Sequence, residues 1–103
     1  MKFVVMSVWD VDKAAELGKL SDKLSATPPS GYKLLAQYVC LAHPVSGIQS
    51  GKGVSITVCE ADSAEALAAV TYPSMLAGAE INTVPVIDMP IGSVAEVEKK
   101  ARG

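Results

Sequence analysis

Residues 54–60, Val-Ser-Ile-Thr-Val-Cys-Glu, alternate apolar with small or polar side chains at a period of two. Successive side chains of a strand point to opposite faces, so Val54, Ile56 and Val58 share one face and Ser55, Thr57 and Cys59 the other. The stretch is too short for a stable helix and reads as a strand, β3. Phe3–Trp9 (FVVMSVW), rich in β-branched and aromatic residues, reads the same way as β1. Phe3, Val5, Ser7 and Trp9 point one way there, and Val4, Met6 and Val8 the other. Two such strands confine the chain to folds in which one sheet has two chemically different faces.

The segments between them complete an order of elements. Ala14, Leu17, Leu20 and Leu24 recur at helical spacing after Asp10 and Asp12, either of which can cap a first helix, α1; Thr27-Pro-Pro-Ser-Gly31 ends it. Lys33–His43 reads as β2. The glycines at 47, 51 and 53 suit a long hairpin loop into β3. Asp62 or Ser63 caps a second helix, α2, which carries Leu67 and Val70 on its apolar stripe, and Pro73 is expected to kink or restart it. Glu80–Met89 (EINTVPVIDM) reads as β4, an edge strand because Pro85 cannot donate to a ladder. Residues 90–103 form a tail with a short helix after Ser93. No linker or repeat divides residues 1–103, which read as one domain.

Right-handed crossovers in β1-α1-β2-β3-α2-β4 put β1 and β3 at the centre and β2 and β4 at the edges. The expected fold is α+β and ferredoxin-like: an antiparallel sheet with both helices on one face and the other face open. The more apolar set, Val4, Met6, Val8, Val54, Ile56 and Val58, is expected beneath the helices. Ser7, Trp9, Thr57 and Cys59, with Phe3, Val5 and Ser55, then fall on the open face. Half of the 103 residues are hydrophobic and five are aromatic. So apolar a composition in so small a chain points to burial against a second copy.

The order of elements, the EADSAEAL entry to α2 and the AEINTVPVIDM ending resemble the dimeric α+β barrel superfamily. The likeness is greatest over residues 54–89, to small single-domain members with no assigned function. It implies two sheets facing each other across a dimer axis, often with a cavity between them. Monooxygenases, muconolactone-isomerase-like enzymes and haem-degrading enzymes belong to that superfamily, but none of their reactive residue sets maps onto this chain.

Several classes of function are disfavoured. A net charge of −2, with basic residues clustered only at Lys99, Lys100 and Arg102, lacks the phosphate-neutralising footprint of a nucleic-acid binder. The apolar run at the N-terminus stops at Asp10, too short for a signal peptide or a membrane span, so the expected location is cytoplasmic, with reduced thiols. The loop SGIQSGKG departs from a phosphate-binding loop in spacing and context.

Residues 38–62 hold the only histidine, His43, and both cysteines, Cys40 and Cys59. A metal site is not expected, because Cys40 and His43, three apart, point to opposite faces of a strand and a fourth ligand is missing. No cofactor is implied. A Cys–His nucleophile lacks its orienting third group, leaving His43 as a weak candidate acid or base at a cavity rim. A hairpin centred between Gln49 and Ser50 sets Cys40 opposite Cys59 at a separation that permits a disulfide. Trp9 is expected to pack at the dimer interface in preference to stacking on a flat ligand. Two readings remain open. One is a small-molecule binder or enzyme whose inter-sheet cavity is lined by Ser7, Trp9, Tyr38, Cys40, Thr57 and Cys59. The other is a non-catalytic interaction protein whose sheet face is filled by its dimer partner.

Overall fold

A computed structural model describes all 103 residues. Its strands are β1 (Lys2–Asp10), β2 (Tyr32–Val39), β3 (Lys52–Ala61) and β4 (Glu80–Val86), and its helices α1 (Ala14–Ala26), α2 (Ala64–Leu76) and α3 (Val94–Arg102). One antiparallel sheet has the order β2-β3-β1-β4, so β1 and β3 are central as the crossover rule requires. Pro85 lies on the edge strand β4, where its missing N–H removes little from the ladder. This is the ferredoxin-like topology.

Local chemistry sets the element ends. Ser63 Oγ accepts the Ala66 N–H at 3.1 Å and caps α2. α2 is a single helix through Pro73 to Leu76 and does not restart there. Asp10 caps no helix through its side chain. Its carboxylate instead accepts from Lys52 Nζ at 2.5 Å, across the β1–β3 ladder. The Lys52 ammonium holds the Asp10 carboxyl below the usual carboxylate range. β2 ends at Val39, earlier than expected, and carries a bulge at Leu35.

The register decides which side chains share a face. Val5 faces Thr57, Ser7 faces Ser55 and Trp9 faces Gly53 across β1 and β3. Gln37 faces Thr57 from β2, and its amide donates to Ser21 Oγ of α1 at 3.1 Å. That bond puts the set Val5, Ser7, Trp9, Gln37, Ser55 and Thr57 beneath the helices. The expected assignment of faces is therefore reversed. Val4, Met6, Val8, Ile56 and Val58 lie on the open face, together with Ala36, Tyr38 and Val84. The expectation assumed that the more apolar set packs beneath the helices and that the mixed set meets a second sheet. Here the helices lie over the face with the hydroxyls, and the open face is the more apolar.

Trp9 shows why one choice of face is available to it. A Cβ on Gly53 would stand 2.3 Å from Trp9 Cη2, so the indole lies flat against a glycine that no other residue could replace without moving the ring. Trp9 Nε1 donates to Ser55 Oγ at 3.4 Å.

The core is thin. Only six residues are buried, among them Val5, Val54 and Cys59, and no residue of α1 is. The accessible surface is 7086 Å². A folded monomer of this mass exposes about 5,500 Å², so the chain exposes about 1,600 Å² more than a self-sufficient globule. The radius of gyration, 15.3 Å, likewise exceeds the roughly 13 Å expected for this length.

Gly53→Ala should destabilise the fold by about 1–3 kcal/mol through overpacking against Trp9. The loss should shrink in the double variant with Trp9→Ala, where the clash is gone. Denaturant unfolding of the two single variants and the double variant measures this coupling; additive losses would contradict the stacked geometry.

Candidate functional site

Between the sheet and the two long helices lies a cavity of about 780 Å³. Its floor is the set of strand residues just described: Val5, Ser7, Trp9, Ser55 and Thr57, with Gln37 and Tyr32 from β2 and Ile81 from β4. α1 contributes Leu17, Ser21 and Leu24, and α2 contributes Leu67, Val70, Thr71 and Ser74. The leucines at helical spacing that mark α1 in the sequence thus form a wall of this space and are only half-buried. The Gln37–Ser21 bond is one of the few direct ties between α1 and the sheet.

The lining has a definite chemistry. Polar groups on the floor are hydroxyls, one amide and one indole N–H; Lys33, on β2, is the sole charged residue among those that line the space. Neither histidine nor carboxylate takes part. Burial, reinforced by the neighbouring Cys59, pushes the Tyr32 phenol well above its usual range, so Tyr32 is a neutral hydrogen-bonding group at any physiological pH. Cys59 is fully buried, and its burial pushes the thiol up, against the lowering effect of its hydrogen bond to Tyr32. Such a thiol is a poor nucleophile.

The sequence-predicted site residues are only partly brought together. Ser7, Trp9 and Thr57 line the cavity as a group, and Tyr38 touches its margin. Cys59 is on the same face of β3 but buried beside Tyr32. Cys40 and His43 lie elsewhere, in a depression of about 330 Å³ at the β2–β3 connection with Leu41, Ala42, Lys52, Gly53 and Val54. The exposed His43 is held by Nε2 against the Lys52 carbonyl at 3.0 Å and stands outside the helix-covered cavity.

The paired cysteines are also a correction. Val39 faces Ser55, so the hairpin centres on Gly47 rather than between Gln49 and Ser50. The Cys40 N–H bonds to the Val54 carbonyl, and Cys59 lies five residues further along β3, roughly 16 Å away at strand rise. A disulfide within one chain needs Cα atoms within about 7 Å, and both cysteines are free. No three His, Cys, Asp or Glu side chains cluster as metal ligands would. No helix is long and apolar enough to cross a membrane.

Sequence reasoning missed Gln37, Tyr32 and the helix residues of the lining. The helical spacing of Leu17 and Leu24 was a usable signal for the wall. Nothing in the sequence marked Gln37, whose position depends on the bulge one turn of pleat earlier.

A ferredoxin-like sheet with a helix-covered cavity that carries a single charged residue, Lys33, is thus the class the geometry defines. The chain belongs to the family described as a domain of unknown function, DUF3303, which matches residues 1–101. No curated protein matches it.

Two outcomes follow for the titrating groups. Native protein treated with a thiol reagent should label Cys40 readily and Cys59 only on unfolding, with Cys40→Ser abolishing the fast phase; two equally fast thiols would contradict the burial. The raised Tyr32 pKa gives a stabilising contribution that is complete below the ordinary tyrosine range and is lost as pH rises through the raised value. Stability should therefore fall steeply above about pH 10, the unfolded tyrosine value. Tyr32→Phe should flatten that fall in unfolding measured across alkaline pH.

Proposed function

We propose that this protein binds a small, uncharged and largely apolar organic molecule between its helices and its sheet, working as a dimeric α+β barrel. The observation that carries the reading is the lining of the 780 Å³ cavity: aliphatic walls from α1 and α2 over a floor of Trp9, Ser7, Ser55, Thr57 and Gln37. Ligand sites are typically apolar spaces of about 300–1,000 Å³ with a few placed polar groups. The scarcity of charge favours a neutral ligand: a cation carried inside would meet no carboxylate, and an anion would have only the single Lys33 ammonium as counterion. With no carboxylate, histidine or activated thiol on the lining, binding is favoured over catalysis. Ser7, Trp9 and Thr57 line this helix-covered space and not the inter-sheet cavity expected of them, and Cys40 and His43 have no part in it.

The dimer reading draws on the other face. Val4, Met6, Val8, Ile56, Val58, Tyr38 and Val84 make a continuous apolar surface, and the chain exposes about 1,600 Å² more than a monomer should, against about 800 Å² that each partner contributes to a stable interface.

The binding test uses N-phenyl-naphthylamine, a neutral fluorescent probe excited through Trp9, the chain's only tryptophan. Saturable energy transfer from Trp9 is expected, reduced at least about ten-fold in affinity by Val70→Phe, which fills the space without adding a second tryptophan donor. No saturable transfer, or an unchanged affinity in Val70→Phe, contradicts the cavity as the site. For assembly, light scattering should give twice 10.7 kDa for the parent and 10.7 kDa for Ile56→Asp. A monomeric parent contradicts the dimer.

A further inference from the structure

Beyond β4 the chain stops packing on its own domain. Ile87 is 70% exposed and Ile91 fully so, Met89 and Val94 stand about half out of the protein, and of residues 87–103 only Val97 is better than exposed. The segment's one side-chain tie to the rest of the molecule is the ion pair of Asp88 with Lys2, at 2.6 Å. Its backbone hydrogen bonds are internal: Ser93 N–H to the Pro90 carbonyl and Val97 N–H to the Ser93 carbonyl among them. α3, nine residues long, carries Val94, Val97 and Ala101 along one stripe and Glu96, Glu98, Lys99, Lys100 and Arg102 over the remainder. A helix of that length is marginal in water and is held in proteins by packing its apolar stripe. Here Val97 alone of the stripe is even partly covered, and Val94 and Ala101 stand exposed.

We infer that residues 87–103 are an arm that packs on a second copy of this chain. Three observations select that occupant. Lys2 shares its face of β1 with Val4, Met6 and Val8, so the ion pair to Asp88 starts the arm on the open, apolar side of the sheet. Val84, 55% exposed on that same face, is followed within seven residues by the exposed Ile87, Met89 and Ile91, with Asp88 the one polar residue among them. The surplus of about 1,600 Å² is twice what one partner contributes to a standard interface, so a second copy can cover the arm as well as the sheet face. The arm has both acidic and basic side chains on its outer surface, so its polar side suits water and its stripe the partner.

The inference rests on the dimer proposed above and adds a contact outside the sheet face. Its test is Ile87→Asp combined with Ile91→Asp in the full chain. Both side chains are exposed within their own protomer, so the fold of the domain should be unaltered by circular dichroism. Light scattering over a concentration series should show dimer dissociation at least about ten-fold easier than in the parent. In parallel, amide exchange of residues 94–102 in the parent should slow as protein concentration rises. A dimeric parent with a dissociation constant unchanged by the two substitutions overturns the arm and leaves the sheet-face dimer standing. A monomeric parent overturns both. Exchange protection of α3 that does not depend on concentration overturns the arm as well, because its surface would then be its own domain.

Discussion

The pairing of β1 with β3, in which Trp9 faces Gly53, is the constraint on which the other features depend. An antiparallel register with a period of two divides every strand into two sets of side chains, and one fixed pair assigns all of them. The indole occupies the space a Cβ on Gly53 would need. That face of the ladder therefore carries Ser7, Ser55 and Thr57, and the opposite face receives Val4, Met6, Ile56 and Val58. A slip of one residue would exchange the two sets and set the Trp9 ring against a side chain.

From that division come two surfaces with different physical problems. Beneath the helices, hydroxyls and an indole N–H form a floor that the leucines of α1 and the apolar residues of α2 do not fill. The Gln37–Ser21 bond ties α1 across this gap without closing it. On the other side, a sheet face made of valine, isoleucine, methionine and tyrosine stands open. Six buried residues are few to hold 103 in place, since ordering each residue costs about 1–2 kcal/mol of backbone entropy. The proposals for a ligand on one side and a second copy on the other address the same shortage of burial.

The sequence made the topology legible because its signals are local. Period two in β1 and β3, period 3.6 in α1, the Ser63 cap and Pro85 at an edge each rest on a few neighbouring residues, and the crossover rule orders them. Side-chain direction was legible only in pairs. Val54, Ile56 and Val58 share a face on sequence grounds alone, but which face meets the helices depends on what covers the other one. The cysteine register failed for a related reason. The hairpin was assumed to centre between Gln49 and Ser50, whereas it centres on Gly47, so Cys40 meets Val54, and the bulge at Leu35 then sets Leu34 against Cys59. Of the candidate residues, Ser7, Trp9 and Thr57 came together because strand periodicity links them. His43 and Cys40 went elsewhere because proximity in sequence to a loop says little about distance from a cavity.

The assignment of the two faces is tested most directly by nuclear Overhauser contacts in a sample mixing isotope-labelled and unlabelled chains. The account predicts contacts within one chain from the Val5 and Thr57 methyls and the Gln37 amide to residues of α1 and α2. It predicts contacts between chains from the methyls of Met6, Ile56 and Val58. Contacts within one chain from Met6 or Ile56 to Leu17 or Leu67 would contradict it, because the apolar set would then lie beneath the helices.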